Sequence, residues 1–113
     1  MLPNRMNLFK STEDQLKRLK QQTGITPNYS ARIAFSKSYE SGFVYNLDNR
    51  KPDGALNLDK LTWFGDYLEL FELLLAYRYP KLQGKDLEKA WAAHVEDGLS
   101  SLRSRKKLVD FVG

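Results

Sequence analysis

The chain is 113 residues long and carries 18 Lys and Arg residues against 14 Asp and Glu residues, with no cysteine. This length accommodates a single domain. The absence of cysteine excludes disulfides, cysteine nucleophiles, cysteine-ligated zinc and iron–sulfur clusters. The opening residues lack the apolar core of a signal peptide and no apolar stretch is long enough to span a bilayer, so we expect a cytoplasmic protein that does not enter a membrane.

Residues 1–42 are expected to form a strand followed by two helices. The alternation of polar and apolar residues over 5–9 is typical of a short, half-buried strand that needs a partner strand. The first helix is expected to start with Thr12 as its N-cap and to end at Gly24, which readily adopts the left-handed conformation. The second is expected to start at Pro27.

Thr26 is the candidate N-cap of that second helix, which is predicted to run to about Glu40 and to be closed by Gly42. Residues 43–57 have the composition of a loop, with a turn at Pro52-Asp53-Gly54.

Two longer packed helices are predicted after the loop. Residues 58–80 are apolar on nearly every side, which indicates a buried helix or an assembly surface, and Gly65 marks where an irregular start becomes helical. Residues 85–105 carry one apolar stripe, as in an amphipathic helix, and residues 106–113 form a tail. The expected fold is therefore mostly α and a single domain.

The positive charge is concentrated at the N-terminal end. Residues 1–40 contain seven basic and three acidic residues, whereas residues 41–80 contain four basic and six acidic ones. Residues 81–113 contain seven basic and five acidic residues. Clustered basic charge favours a nucleic acid as partner.

The strand-helix-helix order resembles the ribbon-helix-helix class, in which two protomers pair their strands into a ribbon that enters a DNA groove. Arg5 and Asn7 would then project from the ribbon, and the N–H groups of the helix starting at Pro27 would face a phosphate. The alternative is a plain helical hairpin with a solvated, charged face. The candidate DNA-binding residues are Arg5, Asn7, Lys10, Lys17, Arg18, Lys20, Arg32 and Lys37.

Most of these side chains suit phosphates rather than bases, so we expect DNA binding with weak sequence preference and strong salt dependence.

His94 lies on an apolar stripe, which favours a packed, hydrogen-bonded core residue over a catalytic one. A role with the nearby Asp97 is the minority alternative. The acidic strip formed by Asp66, Glu69 and Glu72 lacks the spacing of a recognised metal site. We therefore predict no catalytic residue, no metal and no cofactor.

Several short strings, in this order, resemble the DndE family, whose members are the small subunit of the bacterial DNA phosphorothioation (DNA sulfur modification) system. The strings are Leu2-Pro3-Asn4-Arg5-Met6, Gly24-Ile25-Thr26-Pro27-Asn28, Ala31-Arg32-Ile33-Ala34-Phe35, Glu40-Ser41-Gly42, Leu58-Asp59-Lys60-Leu61-Thr62-Trp63 and His94-Val95-Glu96-Asp97-Gly98. They extend over nearly the whole chain.

The resemblance implies a helical protein that forms a homo-tetramer, prefers nicked double-stranded DNA and works beside subunits that activate sulfur and hydrolyse ATP. It also implies that the DNA-binding lysines of the family correspond chiefly to Lys17 and Lys20 in this chain. The resulting hypothesis is a non-catalytic DNA-binding subunit. Three alternatives stay open: a ribbon-helix-helix transcription regulator, an assembly scaffold that docks an acidic partner subunit, and a DNA-nicking enzyme that relies on His94.

Overall fold

The elements follow one another as two short strands and a series of helices. The computed structural model describes the backbone of residues 1–112 and the side chains of residues 1–102. The strands are β1 (Arg5–Met6) and β2 (Leu58–Asp59); the helices are α1 (Lys10–Thr23), α2 (Pro27–Glu40), α3 (Lys60–Phe64), α4 (Leu68–Arg78) and α5 (Gly84–Val112). A 3₁₀ turn, Gly65–Tyr67, joins α3 to α4. The prediction of a mostly α, single-domain fold is confirmed.

The predicted α1–α2 hairpin is confirmed, and of its two predicted N-cap residues Thr26 lies at the N-cap position whereas Thr12 does not. α1 begins two residues before Thr12, with Phe9 at the N-cap, and the buried Thr12 hydroxyl has no hydrogen-bond partner among the described residues. Thr26 precedes α2 without a side-chain cap bond. Gly24 does end α1, at a φ of 79°, and its N–H donates to the Lys20 carbonyl at 2.7 Å. The backbone at Gly24 thus supplies the stop that the sequence indicated.

The partner of β1 lies in the same chain. β1 and β2 are antiparallel, with Arg5 opposite Asp59 and Met6 opposite Leu58. This corrects the expectation that β1 pairs with the strand of a second protomer. The physical reason is the path of residues 43–57, which brings Leu58 back against β1, so the backbone groups of β1 find partners without a second chain.

Residues 43–57 form an extended connection held at several points along its length. The predicted turn at 52–54 is absent. Instead the N–H of Gly54 donates to the Leu8 carbonyl at 2.8 Å, and the Asp53 carboxylate accepts the Lys10 N–H at 2.9 Å. These bonds hold the connection in an extended form against the start of α1.

The predicted apolar helix over 58–80 is interrupted at Gly65, the residue at which the sequence predicted that an irregular start becomes helical. The backbone passes through β2, α3, the 3₁₀ turn and α4, and the helix breaks at Gly65, where φ is 57°. A glycine accepts this conformation without steric cost, so it permits the bend. The last helix starts one residue before the predicted position and continues beyond 105, so residues 106–112 belong to α5 rather than to a separate tail. The side chains of the basic cluster Arg103, Arg105, Lys106 and Lys107 lie outside the described residues.

A single core forms where α2 crosses α5. The two helices approach closely at Gly98, which has no side chain. A Cβ at this position would overlap the Ala34 carbonyl group. Trp63 and Trp91 pack edge to face with ring centroids 5.0 Å apart, and the Trp63 indole N–H donates to the Met6 carbonyl at 3.0 Å. β1, α3 and α5 therefore share one core. No described helix is both long and apolar enough to cross a membrane.

Candidate nucleic-acid interface

Four basic side chains of α1, namely Lys10, Lys17, Arg18 and Lys20, are exposed and are spread around the solvent side of the helix; we call them together the cationic face of α1. The opposite side of α1 is anchored by Leu16, which is fully buried. Lys10, Arg18 and Lys20 have no side-chain partner among the described residues. These three cations are therefore available to an external anion.

Lys17 is held by a buried carboxylate. Glu13 is 1% exposed and accepts a hydrogen bond from the Lys17 ammonium at 3.1 Å. It also accepts the N–H groups of Leu56 at 2.6 Å and Ala55 at 3.2 Å. Burial acts to raise the pKa of Glu13, but the hydrogen bonds from Leu56, Lys17 and Ala55 outweigh it, and the pKa is lowered. Glu13 thus stays ionised and connects α1 to residues 55–56.

The charge is mixed at the N-terminal end of α1. A cavity there is lined by both charges, with the acidic Asp14 and Asp53 facing three basic side chains, Lys10, Arg50 and Lys51. Arg50 lies over the Phe9 ring at 4.2 Å. The guanidinium of Arg50 also pairs with Asp48 at 3.3 Å and with Glu96 at 3.1 Å, which neutralises it. The unbalanced positive charge therefore lies toward the C-terminal half of α1, at Arg18 and Lys20.

Arg5 and Asn7 lie beside the β1–β2 pair instead of on the cationic face of α1. The Arg5 guanidinium donates to the side-chain oxygen and the carbonyl of Asn57, at 2.5 and 2.6 Å. The Asn7 amide donates to the Gly54 carbonyl at 2.7 Å, and its oxygen accepts the Asn57 amide at 2.6 Å. Asn7 is fixed further because its backbone N–H donates to Glu88 at 2.8 Å. Their role in base contacts stays a prediction; in the free protein both side chains hold the 54–57 segment.

Arg32 and Lys37 lie on α2. The Arg32 guanidinium donates to the carbonyls of Trp63 at 2.7 Å and Thr62 at 3.2 Å, so it fastens α2 to α3. Lys37 is half-buried at the edge of a groove and has no side-chain partner in the described part of the chain. The eight predicted residues therefore divide equally. Arg5, Asn7, Lys17 and Arg32 have intramolecular partners, whereas Lys10, Arg18, Lys20 and Lys37 do not.

His94 is a buried core residue, as predicted. Its side chain is fully buried, with Nδ1 at 2.8 Å from the Ser38 hydroxyl and Nε2 at 2.6 Å from the Tyr79 hydroxyl. The Ser38 hydroxyl donates to Asp97 at 2.8 Å, and the Tyr79 oxygen accepts the Tyr45 N–H at 2.8 Å. These bonds assign the Nδ1–H tautomer, because Ser38 has one proton and gives it to Asp97. Burial, and then the nearby Arg78 charge, lower the pKa of His94 to about 4.

The three acidic residues that were predicted to form a strip, Asp66, Glu69 and Glu72, do not lie on one helix. Glu72 accepts the Leu2 N–H at 3.3 Å and lies 3.9 Å from the Lys60 ammonium. Asp66 belongs to the 3₁₀ turn, whereas Glu69 lies on α4. Among residues 1–102, no three His, Asp or Glu side chains are grouped as metal ligands.

Sequence reasoning missed the roles of Glu13, Arg50 and Asn57. Each contacts residues about forty or more positions away, and periodicity or capping patterns carry no signal for such contacts.

Comparisons with known proteins agree on one family. Residues 5–110 match the family model described as DNA sulphur modification protein DndE. The crystal structure of DndE from Escherichia coli B7A, involved in DNA phosphorothioation modification, is 59% identical, with a TM-score of 0.86 over 90% of this chain and 98% of that one. A glycine-to-lysine mutant of DndE involved in DNA phosphorothioation is 57% identical, with a TM-score of 0.83 over 90% of this chain and 99% of that one. No curated protein sequence matches. The chain belongs to the DndE family of DNA sulfur modification proteins.

Proposed function

We propose that this protein is a non-catalytic DNA-binding subunit of a DNA phosphorothioation complex, which contacts the backbone of double-stranded, nicked DNA. The observation that carries the proposal is the cationic face of α1. Its three unpaired cations, Lys10, Arg18 and Lys20, are exposed on one helix in a member of the DndE family.

Phosphates are the ligand that suits this face. Lys and Arg side chains that neutralise phosphates release condensed counterions, which gives an affinity that depends on salt rather than on sequence. Arg18 and Lys20 lie on the half of α1 that contains no acidic residue, although Asp14 lies one helical turn before Arg18. The structure offers few base-reading groups, because Arg5 and Asn7 already hold Asn57 and Gly54.

A non-catalytic role is supported by the chemistry of the interior. The chain has no cysteine to carry a persulfide, so sulfur transfer belongs to partner subunits. The single histidine, His94, has no exposed surface through which it would touch a substrate. Cleavage of duplex DNA by the purified wild-type protein with a divalent metal would contradict this part of the proposal.

Assembly into a homo-tetramer would multiply the cationic faces. Leu73 and Tyr77, one helical turn apart on α4, are 66% and 83% exposed. A contiguous apolar stripe of this kind is typical of an interface between copies. Mass measurement in solution tests this part: Leu73→Lys combined with Tyr77→Lys is expected to yield a smaller species, and a wild-type monomer would contradict it.

The DNA-binding surface is tested by charge reversal. Arg18→Glu combined with Lys20→Glu is expected to weaken binding to a nicked duplex by about tenfold or more at moderate salt, because two phosphate contacts become repulsive. Lys81→Glu combined with Lys85→Glu is the matched control, since it changes the net charge equally at exposed positions away from α1. Equal losses in both double variants, or no loss in the first, would contradict the cationic face as the binding surface.

Two alternatives are distinguished by related measurements. A ribbon-helix-helix regulator would discriminate strongly between operator and random DNA in competition, yet β1 is already paired with β2 in the chain itself. An assembly scaffold would stay bound to an acidic partner subunit after nuclease treatment.

A further inference from the structure

A groove of about 460 Å³ lies between the outward face of α2 and the segment from the 3₁₀ turn to α4. It is separate from the cationic face of α1. Its lining includes Tyr29, Arg32, Ile33, Lys37, Tyr67 and Leu70. Tyr29 and Tyr67 are 57% and 58% exposed, so two aromatic side chains contribute to a concave surface that no described residue fills.

One of these rings is stacked on an arginine that also lines the groove. The guanidinium carbon of Arg32 lies 4.7 Å from the centre of the Tyr29 ring. Because the carbonyls of Trp63 and Thr62 hold that guanidinium, the stacked pair has little freedom to move. The pair therefore forms a supported aromatic platform. A planar ligand stacks on such a platform at a small entropic cost.

The remaining lining indicates what kind of planar ligand fits. Lys37 lies at the edge with no side-chain partner among the described residues, and Glu40 is the one acidic residue in the lining. An aromatic surface beside a free ammonium suits a base with its phosphate. A volume of about 460 Å³ lies within the range of small-ligand sites.

We propose that the groove takes one unstacked nucleotide of the bound DNA, with its base against Tyr29 and its phosphate near Lys37. This inference rests on the proposed DNA binding and adds a second contact to it. A base in an intact duplex is stacked on both sides, whereas a base at a strand break or a bulge leaves the stack more easily. The groove would therefore favour DNA with an interrupted stack over a continuous duplex.

The test compares a fully paired duplex with the same duplex carrying one unpaired nucleotide, by fluorescence anisotropy. The wild type is expected to bind the second duplex more tightly by about fivefold or more, the lower end of the effect of stacking one base on an aromatic side chain. Tyr29→Ala is expected to remove this preference and leave binding of the paired duplex unchanged. Tyr29→Trp retains an aromatic ring and should retain the preference.

Leu47→Ala is the matched control, since Leu47 is 53% exposed and lies outside the groove. It should behave as the wild type. A preference that persists in Tyr29→Ala would overturn the inference. So would a Tyr29→Ala protein of lower assembled mass that binds both duplexes equally weakly, because the groove would then be an interface between copies. Wild-type binding to both duplexes without any preference contradicts the groove alone, whereas absence of binding to a nicked duplex as well contradicts the proposed function.

Discussion

The crossing of α2 and α5 differs from the outward face of α1 in almost every physical respect. At the crossing, Ala34 and Gly98 bring two backbones into contact, and the polar groups of Ser38 and His94 have partners. On the outward face, the side chains of Arg18 and Lys20 have no hydrogen-bond or ion-pair partner in the described part of the chain. The crossing is thus complete in the monomer, whereas the face of α1 gains partners only from outside.

This contrast separates stability from binding. Substitutions at the crossing are expected to change the free energy of unfolding, and substitutions on the face of α1 are expected to change DNA affinity. Glu13 lies between the two regions, because it is buried yet holds one of the exposed cations, Lys17.

The largest effect is expected from Gly98→Ala. The added Cβ would overlap the Ala34 carbonyl group and would lie 2.9 Å from the Ala34 Cα, so α2 and α5 must move apart. The expected loss in the free energy of unfolding is about 3 kcal/mol, the upper part of the range for overpacked cores. Urea unfolding followed by circular dichroism measures it.

Ser101→Ala is the control on the same helix, since Ser101 is exposed. Its effect should stay within about 0.5 kcal/mol. If Gly98→Ala were equally mild, the close approach of the two helices would be wrong.

Glu13→Gln is expected to have the next largest effect, about 2 kcal/mol at neutral pH, because a buried carboxylate loses its charge while the N–H groups of Ala55 and Leu56 still need an acceptor. The folded-state pKa of Glu13 lies below its usual value of 4.5. This part of the stability is therefore present above about pH 4.5 and is lost as the pH falls through the folded-state pKa.

The difference in the free energy of unfolding between the wild type and Glu13→Gln should accordingly become smaller at acidic pH. Urea unfolding at neutral pH and below pH 4.5 measures it. A difference that is the same at both values would show that the Glu13 charge does not contribute.

The titration of His94 is expected to have the smallest effect on stability at neutral pH, because the imidazole is then neutral in both the folded and the unfolded chain. Its effect grows as the pH falls. The pKa of this group falls from 6.5 to about 4 on folding, so the unfolded chain takes up a proton below pH 6.5 while the folded protein does not until about pH 4. Stability should therefore decrease as the pH falls across this interval. Nitrogen-15 NMR should show a neutral imidazole, protonated at Nδ1, over the upper part of this interval and protonation only as the pH approaches about 4. Titration of His94 near pH 6.5 would contradict its burial.

The sequence predicted where α1 ends and where α2 begins, although it misplaced the N-cap of α1. Gly24 and Pro27 set the end of α1 and the start of α2 through backbone conformations that a glycine and a proline favour. The position of His94 on an apolar stripe also predicted its burial. Each of these signals depends on neighbours within about one helical turn.

Features that depend on distant contacts were not predictable in this way. The choice of β2 as the partner of β1 depends on the path of residues 43–57. The hydrogen bonds from Arg5 to Asn57 and from Arg32 to Trp63 also depend on distant residues. The sequence does not show whether a basic side chain has such a partner. The free and the occupied members of the predicted DNA-binding set are therefore distinguishable only in three dimensions.

The salt dependence of DNA binding tests the central claim, that the cationic face of α1 binds phosphates, most directly. Arg18→Gln combined with Lys20→Gln should lower the slope of log affinity against log salt by about two, one for each lost phosphate contact. Lys81→Gln combined with Lys85→Gln should leave the slope unchanged. An unchanged slope in the Arg18 and Lys20 double variant would contradict the account.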